Sequence, residues 1–307
     1  MTGRVAVAGG YGTGITIATS AVPGPGETLL AGEARISPGG KGSNQAVAAS
    51  RLGVEVTLFT AVGDDSFAER AWRLWADEKI DTTAVRTKAG PTMLGVILVD
   101  PSGDNRIVVA PGALAALDTA DVAPFAARLA GADLCVVSLE IPAEVAAAVL
   151  AAAHAAGVRT LLNPAPPAPL PAEVLRRVSI LTPNRPEACA LTGSPADTPA
   201  GVLADRLRDR CDGTIVITLG PEGALVDDGT ERYRVPAPAP VRVRDTTGAG
   251  DAFTGALAAA VASGVPVREA VRLAVSAGTF SVATAEVVPS LAHRADLPLA
   301  RLLEGTG

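Results

Sequence analysis

Short apolar runs alternate with segments of helical spacing along most of this chain. Val5-Ala6-Val7-Ala8, closed by Gly9-Gly10, reads as a strand buried on both faces. Similar runs recur at Val56–Val62, Leu134–Ser138, Val158–Leu162, Ser179–Leu181 and Ile215–Leu219. The spacing between the later runs predicts helices over about 143–156, 171–177, 185–192 and 198–210. Short β runs follow at Ala224–Val226 and Arg232–Val235. Two long apolar helices close the pattern, at about Ala249–Ser263 and Val267–Val282. Nearer the start, Asn44–Leu52 reads as a helix stopped by Gly53. Ser66 with Glu69 reads as a capping box opening a helix that runs to Asp77. The alternation predicts an α/β fold with a mostly parallel central sheet covered by helices on both faces, three layers in all.

Two segments break this rhythm. Residues 11–40 are rich in Gly, Pro and Thr with short β-like runs. Residues 86–112 hold two β runs, Leu94–Val99 and Ile107–Ala110, joined by the turn signal Asp100-Pro101-Ser102-Gly103-Asp104-Asn105. Together they read as a small β-sheet projecting over the site as a lid. The α/β core is then residues 1–10, 41–85 and 113–307.

Composition narrows the function. The chain has 307 residues, 48% of them hydrophobic, and a net charge of −6 with no basic block, which argues against nucleic acid as a partner. Cys135, Cys189 and Cys211 lack paired spacing and fit a reducing cytoplasm. Two histidines, His154 and His293, argue against a His-based metal site or a Ser-His-Asp triad. Val145–Ala156 is apolar but too short to span a membrane.

The chemistry concentrates in Asp245-Thr246-Thr247-Gly248-Ala249-Gly250-Asp251, which leads directly into an apolar helix. Small residues at Gly248, Ala249 and Gly250 let main-chain amides converge on an anion, and the helix adds its positive end. A carboxylate beside a phosphoryl group is costly unless it takes a proton, so Asp251 reads as a general base. Two other glycine motifs fail. Gly9–Gly14 lacks the G-x-G-x-x-G spacing of a dinucleotide site, and Gly40-Lys41-Gly42 is no Walker A loop. Three segments complement Asp251. Gly39-Gly40-Lys41-Gly42-Ser43-Asn44 allows close approach of a ligand, with a positive charge and an amide. Asn184 and Glu187 either organise a hydrated Mg²⁺ or form an ordinary capping box. Thr218-Leu219-Gly220-Pro221-Glu222-Gly223 ends a strand, where glycines let a purine and ribose lie against the chain, or where they simply turn it.

With these segments in this order, the chain resembles the ribokinase-like (PfkB-type) carbohydrate kinases, and within them the ribokinases. Pro25-Gly26-Glu27-Thr28, Gly39–Ala46, Asn163-Pro164-Ala165, Thr182-Pro183-Asn184, Thr218-Leu219-Gly220 and Asp245–Asp251 carry the likeness. The resemblance implies ATP-dependent phosphorylation of a sugar hydroxyl, with D-ribose to ribose 5-phosphate as the first expectation. A fructose-type sugar or nucleoside acceptor, or an ATP-binding regulator without turnover, are the alternatives. Asp251 is the implied base and the Gly248–Asp251 amides the anion hole. Gly12, Gly14, Gly40, Lys41, Gly42, Asn44, Glu140 and Asp251 are the implied sugar positions. Asn184, Thr218, Leu219, Gly220, Gly223, Gly250 and Val275 are the implied ATP positions, with Mg²⁺ held indirectly by Glu187. Asp245, Thr247, Ser281, Thr284, Glu286 and Ser290 match a monovalent-cation loop, which implies activation by K⁺. Lids of this family often pair, which implies a homodimer through the lid, with no membrane or nucleic-acid partner.

Two positions depart from the pattern. Ribokinases carry Asn-x-Asp after the first strand, and that Asp binds two sugar hydroxyls. The matching residues here are Gly12 and Gly14. Leu114 stands where the family has Asn. Both changes fall on the acceptor side.

Overall fold

The computed structural model describes residues 3–100, 105–239 and 241–304. The predicted turn at 100–105 lies largely outside them. Along the chain the strands are β1 (Arg4–Ala8), β2 (Gly12–Ala18), β3 (Ala34–Gly39), β4 (Glu55–Phe59), β5 (Ala61–Val62), β6 (Arg86–Thr87), β7 (Met93–Val99), β8 (Asn105–Ala110), β9 (Leu134–Ser138), β10 (Arg159–Asn163), β11 (Ile180–Leu181), β12 (Thr214–Thr218), β13 (Ala224–Asp227) and β14 (Arg232–Val235). The helices are α1 (Lys41–Arg51), α2 (Ser66–Asp77), α3 (Val122–Leu129), α4 (Ala143–Ala155), α5 (Ala172–Arg176), α6 (Arg185–Thr192), α7 (Ala200–Arg208), α8 (Ala249–Ala262), α9 (Val267–Ser281) and α10 (Val287–Ser290).

Eight strands form the main sheet in the order β14-β13-β12-β11-β10-β9-β1-β4. From β4 to β12 all neighbours are parallel, and β13 and β14 add antiparallel. The sheet is buried on both sides, as the unbroken apolar runs require. In β1, Val5 and Val7 pack into one core with α1, α2, α8 and α9. Ala6 and Ala8 pack into the other, with α3, α4 and α7. The period of two thus survives in a run that is apolar throughout.

Helix α8 runs through the first core, and twelve of its residues are buried. Its neighbours approach so closely that two glycines are required and a third sits in tight contact. A Cβ on Gly255 would lie 2.4 Å from Ala48 Cβ and 2.7 Å from the Gln45 carbonyl oxygen of α1. A Cβ on Gly3 would lie 2.7 Å from the carbonyl carbon of Ala262. Gly278 of α9 sits against Ala249 O, where a Cβ would approach to 3.2 Å. The N-terminus of α8 is thereby pressed against the N-terminal half of α1.

A separate four-stranded sheet, β3-β2-β7-β8, is built from the two segments that broke the alternation. β2 and β7 pair parallel and the outer strands antiparallel. Ile36, Ile107, Val108 and Val109 leave a large exposed apolar area on it.

Several local expectations need correction. The run Val56–Val62 breaks after Phe59, because Ala61–Val62 leaves the main sheet and pairs with Arg86–Thr87. Helix α2 is capped by Asp65, whose Oδ1 accepts from Ala68 N–H at 2.8 Å, so the Ser66/Glu69 box does not form. Helix α1 starts at Lys41, three residues before Asn44. Gly40, at φ +89°, is its N-cap and offers no side chain. Glu140, far away in sequence, accepts from the N–H groups of Lys41 at 2.6 Å and Gly42 at 3.4 Å and supplies the missing cap.

Candidate active site

The carboxyl ends of the parallel strands deliver the site, as expected for an open α/β sheet. β1 runs into Gly9-Gly10, β9 into Glu140, β10 ends at Asn163, β11 runs into Thr182–Asn184 and β12 ends at Thr218. Facing them are the N-termini of α1 and α8.

Asp251 sits in the first turn of α8 and is buried. Asn44 Nδ2 donates to its Oδ2 at 2.9 Å, and Gln45 Nε2 donates to its Oδ1 at 3.1 Å. Gly248 caps this helix at φ +82°, and a Cβ there would lie 2.4 Å from Val287 Cγ1, so both conformation and space demand glycine. The first helical bond runs from Ala252 N–H to Gly248 O. The amides of Gly250 and Asp251 therefore lie ahead of it, at the positive end of the helix. Nothing would meet a Cβ at Gly250 within 4 Å, so the approach is open. Of the four amides expected to converge here, that of Ala249 turns back to Thr246 O at 3.3 Å.

Lys41 lies among three carboxylates. Burial works against its ammonium, but Asp251, Glu140 and Glu187 outweigh it and hold the group charged. Burial pushes the Asp251 carboxyl up, opposed by Lys41 and the amides of Asn44 and Gln45. Burial, then the neighbouring Asp251, pushes Glu140 up to about 7 against the pull of Lys41 and its two amide donors. Gly10 is glycine because a Cβ there would lie 2.6 Å from Glu140 Oε2.

Asn184 and Glu187 do form a capping box. Glu187 N–H donates to Asn184 Oδ1 at 2.8 Å, and Asn184 N–H donates to Glu187 Oε2 at 2.8 Å. The box does not remove Glu187 from the site, since its charge still acts on Lys41. Asn184 also bridges to Thr218 of the neighbouring strand, and Thr218 N–H donates to Pro183 O at 3.0 Å. Gly220 and Gly223 both adopt positive φ in the turn that follows, with Leu219 N–H bonded to Gly223 O. Val275 lies in α9 within the core that α8 traverses.

In the expected cation loop, Asp245 accepts from Thr247 N–H at 2.9 Å and from Glu286 N–H at 3.2 Å, which joins two distant segments. Thr284 N–H bonds to Ser281 O, whereas the Ser290 hydroxyl donates locally to Val287 O. Among the described residues no group of three or more His, Cys, Asp or Glu could cage a metal.

Gly12 and Gly14, two positions that depart from the resemblance, differ in their surroundings. A Cβ on Gly12 would lie 2.7 Å from Met93 Cε and 2.8 Å from Met93 O. Met93 therefore fills the space that a residue-12 side chain would take, and it belongs to the same apolar core as Leu114. Gly14 is less crowded. Its Cβ would meet Ile97 Cδ1 at 3.3 Å and Ser37 Oγ at 3.8 Å. Around the centre, Asn44 Oδ1, Gln45 Oε1 and Ser138 Oγ are buried without a protein partner, so acceptors stand ready for hydroxyl donors. Gln45, Asn163, Ser138 and Met93 were not assigned roles from sequence. The available signals were a polar residue ending an apolar strand, at Ser138 and Asn163, and the place of Gln45 and Asn163 within the segments that carry the resemblance.

The model of the pfkB family carbohydrate kinase matches residues 13–293. The ribokinase of Haemophilus influenzae is 37% identical over 261 residues, covering 84% of this chain and 85% of that one. The deoxyribokinase of Salmonella typhi is 36% identical over 283 residues, covering 91% and 92%. The ribokinase of Arabidopsis thaliana, solved with ribose and ATP, superposes with a TM-score of 0.90 over 100% of both chains at 27% identity.

Glu140 yields a test of this electrostatic arrangement. Its folded pKa, about 7, lies above the ordinary 4.5, so the folded state binds more protons between those values. The stability this group contributes is then full below about 4.5 and is lost as pH rises through 7. Urea melts from about pH 5 to about pH 8 should show a downward slope in wild type that is flatter in Glu140→Gln. Equal slopes in the two proteins would contradict this.

Proposed function

As a member of the pfkB family of carbohydrate kinases this chain is an ATP-dependent sugar kinase, and we propose that it converts D-ribose to ribose 5-phosphate with Asp251 as general base. The observation that carries the reading is the Asp251 carboxylate, held on both oxygens at the open N-terminus of α8 beside Lys41. The ribose and ATP in the Arabidopsis relative support the choice of substrates. The intact, clamped base disfavours a regulator without turnover.

In this reading the acceptor hydroxyl gives its proton to Asp251 as its oxygen attacks the γ-phosphorus, the bond from that phosphorus to the β,γ-bridging oxygen breaks, and ADP leaves. The amides of Gly248, Gly250 and Asp251, with Ala249 once released from Thr246, stabilise the charge on the transferring group. Lys41 adds a fixed positive charge. Positioning and electrostatics account for most of such a reaction, with general-base help contributing roughly 10²–10⁴-fold. Gly40, Lys41, Gly42, Asn44 and Glu140 surround the sugar. Asn184, Thr218, Leu219, Gly220, Gly223 and Val275 hold the nucleotide. Mg²⁺ would be held through waters by Glu187 and would neutralise part of the phosphate charge. Asp245, Thr247, Ser281, Thr284, Glu286 and Ser290 would hold K⁺ with neighbouring main-chain carbonyls. The β3-β2-β7-β8 sheet, within residues 11–40 and 86–112, serves as a lid on the core and excludes water on closure. Its exposed Ile36, Ile107, Val108 and Val109 are proposed to pair two copies. The reaction is assigned to the cytoplasm, where free Cys135, Cys189 and Cys211 stay reduced.

One ADP-release assay tests the chemistry. Asp251→Asn should lose at least roughly 10²-fold in kcat with little change in ATP affinity. Wild type should turn over faster in K⁺ than in tetramethylammonium. Near-normal turnover of the variant, or equal rates in the two salts, removes the base or the cation respectively.

The acceptor corner yields a second test. With Gly12 and Gly14 where the resemblance implies Asn-x-Asp, β2 offers no carboxylate to a sugar diol there, so ribose and 2-deoxyribose should differ little as substrates. Gly14→Asp presses on the tip of Ile97 at 3.3 Å and meets Ser37 only at 3.8 Å, and it should raise kcat/KM for ribose by roughly 10- to 100-fold, the effect of one charged hydrogen bond. Gly12→Asn collides with Met93 and should not. A Gly14→Asp enzyme with unchanged preference would show that the diol does not face β2.

A further inference from the structure

We infer that Gln45 is a positioning residue that fixes the orientation of the Asp251 carboxylate through a relay of side-chain amides anchored on the main chain after β11. The inference rests on Asp251 being the base.

The relay starts at the Thr182 carbonyl, which can only accept. Asn163 Nδ2 donates to it at 3.1 Å. That turns Asn163 Oδ1, another acceptor, toward Gln45, so Gln45 must present its Nε2, at 3.0 Å. The second proton of the same Nε2 then reaches Asp251 Oδ1 at 3.1 Å. Each amide is oriented by its neighbour, and both ends of the relay are obligate acceptors when Asp251 is ionised. Gln45, Asn163 and Thr182 are all buried, so water does not compete for these bonds.

Asn44 alone would hold one carboxylate oxygen and leave rotation about Cβ–Cγ free. The Gln45 donor on the other oxygen removes that freedom and keeps the remaining lone pairs aimed in one direction. The charged groups around Asp251 are Lys41, Glu140 and Glu187. Gln45 adds a neutral donor to them, which carries no charge of its own and favours the ionised Asp251. Because Thr182 lies two residues before Asn184, the relay references the base to the strand end that carries the proposed nucleotide position.

The test is steady-state kinetics with ATP and ribose on the full chain. Gln45→Leu should lower kcat by roughly 10- to 100-fold, as expected for a misaligned reacting group, while KM for both substrates stays within about twofold. Asn163→Leu should lower kcat less. The double variant should be no slower than Gln45→Leu alone, because Asn163 acts only through Gln45. If Gln45→Leu does not fold, Gln45→Glu decides, since it keeps the shape but replaces the donor with an acceptor and should also lose kcat. Wild-type kcat in the 45 variants, a loss confined to KM, or multiplicative losses in the double variant would each overturn the inference. Turnover by Asp251→Asn would instead overturn the reading of the base. An inactive Asp251→Asn beside a fully active Gln45→Glu would leave that reading standing and remove only the relay.

Discussion

The rest of the site depends on a buried carboxylate whose two oxygens are held by consecutive side chains of another helix. Burying Asp251 without partners would cost several kcal/mol or neutralise the group. Asn44 and Gln45 supply those partners, and they reach Asp251 because α1 and α8 touch backbone to backbone at Gly255. Any Cβ at Gly255 would separate the two helix N-termini that frame the cleft. The same contact brings Lys41 into range of Asp251.

Charge around this contact is balanced rather than uniform. One lysine faces three carboxylates, and Glu140 responds by keeping its proton to about 7. Glu140 also closes the N-terminus of α1, which Gly40 leaves without a side-chain cap. One residue therefore finishes a helix and tunes the field at the centre. The glycines at 10 and 40 persist because this closure brings backbone against backbone and carboxylate, where a Cβ would approach within 2.6 Å.

The two halves of the cleft differ in how closely they follow the family pattern. From Gly248 to Asp251 the loop carries the small residues and the acid on which the resemblance rests. At Gly12 the Met93 side chain and carbonyl of β7 occupy the space a Cβ would need, and Met93 and Leu114 share one apolar core. Gly14 is less crowded, and only Ser37 offers a polar atom nearby. The fold is shared with the Arabidopsis ribokinase over the whole chain, while Gly12 and Gly14 leave β2 without a polar side chain at those two positions.

Most strands were legible because short apolar runs such as Val5–Ala8 and Ile107–Ala110, bounded by turn residues or helical spacing, leave few alternatives. The Asp245–Asp251 loop was legible because its small residues and acid are adjacent in sequence. The Asn184/Glu187 box was legible for the same reason, its partners lying three residues apart. What sequence could not show depends on groups far apart along the chain. The cap on α1 comes from 99 residues away, and the Gln45 bonds span 118 and 206 residues. Met93 against Gly12 is a cross-strand pair, set by register rather than by spacing. By itself the sequence determined the layers and which residues can do chemistry, because periodicity and local capping act within a few residues. Only the tertiary structure decided which oxygens are held and which spaces are filled, because those contacts exist only once the strand ends and helix N-termini have converged.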